Sequence, residues 1–83
     1  MGRSSAALRQ VLKTYGISQN KLAVTMGVER TTVYKWYHEE REPSGETIER
    51  IVRALAKIDP IAARAFVEVF LGELINDNDA IED

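Results

Sequence analysis

The stretch Ser18–Glu40, SQNKLAVTMGVERTTVYKWYHEE, decides the fold. Two apolar-periodic segments meet there at a single glycine, Gly27. Ser18 suits a helix N-cap, because its hydroxyl can accept from the N–H groups left open at a helix start. Leu22, Ala23 and Met26 then fall on one face, and Gly27 ends the helix in the left-handed conformation that glycine adopts without steric cost. The next helix starts near Glu29 or Arg30 and runs to about Glu39, with Val33, Trp36 and Tyr37 on its apolar side and Val28 plugging the turn. Its other side carries Arg30, Thr31, Tyr34, Lys35 and His38, a polar ridge that no core would use. Thr32 faces the helix pair.

Outward from this stretch the pattern stays helical, with no period-two alternation long enough for a strand. A preceding helix runs from about Ser5 to Thr14, carrying Leu8, Val11, Leu12 and Tyr15 on one stripe and stopping at Gly16. After the loop EREPSGE, where Pro43 interrupts, Ser44 caps a helix bearing Ile48, Ile51, Val52 and Leu55. Asp59 and Pro60 then restart the chain as cap and first helical residue, and the last helix runs to roughly Ile75. The expectation is an all-α chain of five helices forming one domain over residues 1–83. Its body spans residues 5–58, its C-terminal helix 59–75, and its acidic tail 76–83, NDNDAIED, is frayed.

Eighty-three residues bury only a modest core, too small for an elaborate catalytic cleft. Cysteine is absent and His38 is the sole histidine, which removes disulfides, thiolate metal sites and a nucleophile-base pair, and no glycine-rich phosphate loop is present. Neither an enzyme nor a cofactor or metal protein is expected. The first residues lack the apolar run of a signal peptide, and IAARAFVEVFLGELI is broken by Arg64, Glu68 and Glu73, so a soluble cytoplasmic protein is expected. The net charge of −2 conceals an asymmetry: residues 1–41 hold seven Lys/Arg against three acids, a net of +4, whereas residues 42–83 hold four against ten, a net of −6. A basic half can face a polyanion while an acidic half keeps the protein soluble.

Two short helices joined by a tight glycine turn form a helix-turn-helix, in which the first braces the backbone and the second enters the major groove. With SQNKLA, GV, TTVYKW, the following proline and IERIVRAL in that order, the chain resembles the Cro/C1 (Xre) type helix-turn-helix family over roughly residues 5–58. The resemblance implies a five-helix, lambda-repressor-like fold that binds double-stranded DNA. It places Gln19 on a backbone phosphate, and Arg30 and Thr31 where base edges are read. Arginine can donate twice to guanine, and threonine can use its hydroxyl or its methyl. Lys35, one turn on, reaches a base or a phosphate. Tyr34 flanks the ridge and His38 follows one turn later. Both join Asn20, Lys21 and Arg41 as backbone contacts, with Arg3 and Arg9 as further phosphate candidates.

The family usually closes this helix with asparagine and glycine followed by basic residues, whereas here the sequence is HEEREP, with Glu39, Glu40 and Glu42 where phosphates would run. Glu29 replaces the usual serine or threonine cap; it can favour the helix dipole, accept from cytosine N4 as a base contact, or hold Arg30. The last helix has a surplus of apolar residues, and Phe66, Val69, Phe70 and Leu74 are the expected homodimer interface, the alternative being that this helix wraps its own chain. The function expected is a sequence-specific transcriptional regulator, a repressor by family analogy, bound as a dimer to an inverted-repeat operator. The alternatives are an antitoxin whose acidic end holds a basic toxin partner, and a protein-interaction module of the same fold without DNA binding.

Overall fold

The computed structural model describes residues 3–78, and side chains up to Gly72. Five helices follow one another: α1 Arg3–Tyr15, α2 Gln19–Met26, α3 Arg30–Tyr37, α4 Gly45–Ile58 and α5 Pro60–Asn78. The punctuation is local chemistry. Ser18 and Ser44 accept from the N–H groups of Lys21 and Thr47 at 2.9 and 3.2 Å, capping α2 and α4. Asp59 Oδ1 accepts from Ile61 N–H at 3.0 Å and opens α5. Gly27 adopts φ 76° and donates its N–H to Ala23 O at 2.9 Å, closing α2.

All five helices contribute to one core. α1 packs on α5 and α3, α2 on α3 and α4, and α4 on α5. Leu8, Val11 and Leu12 from α1 meet Leu22 and Ala23 from α2, Val33 and Trp36 from α3, Ile51 and Leu55 from α4, and Ala62 and Phe66 from α5. Met26, Val28, Ile48 and Val52 are half-buried at its edge. Because α3 sends only Val33 and Trp36 fully inward, most of its remaining circumference faces solvent.

Several expectations are corrected by tertiary packing. α1 begins at Arg3 rather than Ser5, and Tyr15, placed on its apolar stripe, is exposed at the last residue of the helix. α5 continues to Asn78 rather than stopping near Ile75. α3 stops at Tyr37 rather than Glu39, because Glu39 turns left-handed with φ 59°. Its N–H donates to Trp36 O at 3.1 Å and that of Glu40 to Lys35 O at 2.8 Å, the two bonds of a Schellman ending with glutamate in the place glycine favours. Phe66, expected at an interface between subunits, is 0% exposed within its own chain, so the core of the monomer consumes it. Leu74 lies on α5 but its side chain falls outside those described, as do residues 79–83 of the acidic tail.

Phe66 touches the core from the helix that closes it, and truncation leaves a cavity that the surrounding helices cannot fully collapse. Phe66→Ala is expected to remove about 3 to 5 kcal/mol of stability, read as a lower urea midpoint with an unchanged denaturant slope.

Candidate nucleic-acid interface

α2 and α3 are eight residues each and are joined by Gly27, Val28 and Glu29. Leu22 and Ala23 on one and Val33 and Trp36 on the other bury the inner sides of the pair, which fixes what faces out. The exposed side of α3 carries Arg30, Thr31, Tyr34 and Lys35, with Glu29 just ahead of it and His38 just after. Spacings of three and four residues bring Thr31, Tyr34, Lys35 and His38 onto one strip of helix surface. Tyr34 is 48% exposed, and its ring lies 4.1 Å from that of His38 between centroids; the Tyr37 ring meets the same histidine at 5.2 Å, edge on. An aromatic cluster thereby stiffens the far end of the strip. Arg30 and Lys35 make no ion pair or side-chain hydrogen bond with other described residues, so their charges are available to an external anion.

The start of α2 supplies a second element. Ser18 satisfies Lys21 N–H, while the N–H groups of Gln19 and Asn20 sit at the open end of the helix, where no internal acceptor exists. Partial positive charge at that end favours an anion. Gln19 is half-buried, and Asn20 and Lys21 are exposed. Gln19 lines a surface notch of about 180 Å³ with Leu12, Lys13, Ile17, Ser18 and Tyr37. Lys13 thus joins the same surface, a placement the sequence hides because four residues and a helix end separate it from Ser18.

Glu29 sits at the N-cap of α3 without a side-chain capping bond. It is exposed, and its carboxylate has no ion-pair partner among the described residues. Thr32 is half-buried, lining a cleft of about 330 Å³ with Val28, Trp36, Pro43 and Arg50 that also takes in Arg41. Arg9, a candidate for phosphate, is instead engaged within the chain: Nη1 donates to Tyr37 O at 2.7 Å and Nη2 to Glu39 Oε2 at 2.8 Å. Glu42 accepts a bond from the buried Ser4 hydroxyl. Glu40 remains exposed and unpaired among the described residues.

Two short helices set across a left-handed glycine, the second presenting arginine, threonine and lysine to solvent, define a helix-turn-helix DNA-binding fold. The model of the Cro/C1-type family, described as helix-turn-helix, matches residues 8–60, and the chain belongs to that family. Its members are DNA-binding regulators and typically not enzymes. No curated protein and no solved structure matches the chain.

The two caps differ in a way that stability measurements resolve. Ser18→Ala is expected to cost about 1 kcal/mol, since it removes the bond to Lys21 N–H. Glu29→Ser is expected to add about 0.5 to 1 kcal/mol by capping α3, seen as a higher thermal midpoint.

Proposed function

We propose that the protein is a sequence-specific transcriptional regulator, a repressor, that binds an inverted-repeat operator as a homodimer in the cytoplasm. The observation that carries this reading is the unpartnered Arg30 and Lys35 on the exposed side of α3, together with the open N-terminus of α2. Arg30, Thr31, Lys35 and Glu29 face base edges in the major groove. Gln19, Asn20, Lys21, Tyr34, His38 and Arg41 hold the phosphates on either side and set the register.

Few cations line this surface, so a single copy binds modestly and two half-sites are needed for useful selectivity. The second subunit docks on the outer side of α5. Val69 and Phe70 are half-buried there, Leu71 is 44% exposed, and Ile61 near the start of the helix is 67% exposed. Phe70 stacks on the core residue Phe66 with centroids 6.1 Å apart, so it joins that outer side to the interior. No helix among the described residues is long and apolar enough to cross a membrane, and these apolar side chains need another cover. Symmetric pairing suits an inverted-repeat operator whose half-sites lie about one DNA turn, roughly 34 to 36 Å, apart.

The interaction-module reading draws on the exposed Glu40 and the negative net charge. It is weakened by the internal partners of Glu39 and Glu42, which leave fewer carboxylates free to repel DNA.

Selection of bound duplexes from genomic fragments, followed by titration at two salt concentrations, tests the DNA-binding reading. A logarithmic salt slope of about −0.9 per phosphate is expected, corresponding to a handful of contacts per subunit. Arg30→Ala is expected to lower binding to the selected duplex by about 1 to 3 kcal/mol while random duplex loses less. Equal losses on both would assign Arg30 to phosphate instead. For assembly, Leu71→Asp is expected to sediment as a folded monomer; an unchanged dimer would remove α5 from the interface.

A further inference from the structure

The corner that follows α3 is the least DNA-compatible part of the sequence, and α1 reaches across to it at two places. Residues 39–42, EERE, carry a formal charge of −2. Arg9 bonds the carboxylate of Glu39 and, with its other terminal nitrogen, the carbonyl of Tyr37, the last residue of α3. Five residues earlier on α1, the buried Ser4 donates to Glu42. Arg9 therefore ties down two negative features at once: a carboxylate, and the carbonyl end of a helix where partial negative charge accumulates. A planar guanidinium suits this, because it presents two parallel donors to two acceptors, which a lysine ammonium does with less geometric control.

We propose that Arg9 is a positioning residue of the DNA-binding surface: it draws the Glu39 carboxylate back against α1 and neutralises it, so that the end of α3 can approach phosphate. This rests on the DNA-binding reading above. Side chains of both partners are about one-third exposed, at 34% and 37%. Solvent screens such a pair strongly, so its contribution to folding stability is small. Its effect on a neighbouring polyanion is larger. A freed carboxylate would stand within a Debye length of several phosphates at physiological ionic strength and would repel all of them. The left-handed backbone at Glu39 adds a steric component: a side chain at φ 59° is held in an unusual direction, and the bond from Arg9 gives that direction a fixed acceptor.

The test is a thermodynamic cycle on DNA affinity with wild type, Arg9→Gln, Glu39→Gln and the double variant. The probes are a duplex recovered by genomic selection and a random-sequence duplex of the same length. Arg9→Gln is expected to weaken binding to both duplexes about tenfold at low salt, the loss shrinking as salt rises. Glu39→Gln is expected to bind at least as tightly as wild type, and Arg9→Gln/Glu39→Gln to return close to wild type. Rescue by removal of the carboxylate separates neutralisation from a structural role, because a merely loosened fold would not recover when its ion-pair partner is also lost.

If Arg9→Gln costs the same affinity in both backgrounds, Arg9 is a direct phosphate ligand and the inference is wrong. If wild type binds and Arg9→Gln is indistinguishable from it, the pair has no bearing on DNA and the inference fails alone. Absence of binding by wild type to either duplex removes the DNA-binding reading itself, and this inference with it. Should Arg9→Gln fail to fold, Arg9→Lys keeps the charge but not the paired donors, and Glu39→Gln leaves Arg9 in place. A loss of affinity in Glu39→Gln would overturn the proposal without any change at Arg9.

Discussion

The helices that would carry recognition are too short to exist without the rest of the protein. α2 and α3 have eight residues each, and isolated helices below about 12 to 15 residues are marginal in water. Burial of Leu22, Ala23, Val33 and Trp36 against one another, α1 and α4 supplies what local hydrogen bonding cannot. The exposed side of α3 is consequently the outer skin of a core layer. Arg30, Thr31 and Lys35 stand where they do because Val33 and Trp36 point the other way, and caps at Ser18 and Gly27 set where the layer begins and turns.

Electrostatics adds a second level to that packing. A net charge of −2 is an unpromising start for a protein facing phosphate, but charge is sorted along the chain and then adjusted in space. Arg9 and Ser4, both on α1, engage acids that lie 30 and 38 residues later and leave Glu40 as the unpaired acid of the corner. The helix that packs behind α3 therefore also shapes the field in front of it. In DNA-binding proteins generally, attraction to phosphate acts on any duplex, whereas directed donors to base edges carry discrimination between sequences.

The parts of this architecture that sequence discloses are those decided within a few residues. Ser18, Gly27, Ser44 and the Asp59–Pro60 pair mark helix ends because capping bonds and left-handed turns are local. The exposure of Arg30, Thr31, Lys35 and His38 follows from the period of one short helix. Arg9 and Glu39 carry no such signal. Their meeting depends on how α1 crosses α3, and glutamate is not a residue from which a left-handed turn is inferred. Phe66 illustrates the converse: the apolar residues of α5 cover more than one stripe, and periodicity alone does not say which of them faces its own core. Lys13 becomes part of the surface only because α1 ends beside the start of α2.

Trp36 is the sole tryptophan of the chain, and it sits on the inner side of α3, 4% exposed. The protein consequently contains its own optical reporter at the joint between α3 and the core. Indole emission responds to local polarity, so a helix that slides or lifts would redden it. Docking of the outer surface as a rigid body would leave it unmoved. Label-free spectroscopy of this one ring can therefore separate binding by a preformed surface from binding that rearranges the helix beneath it.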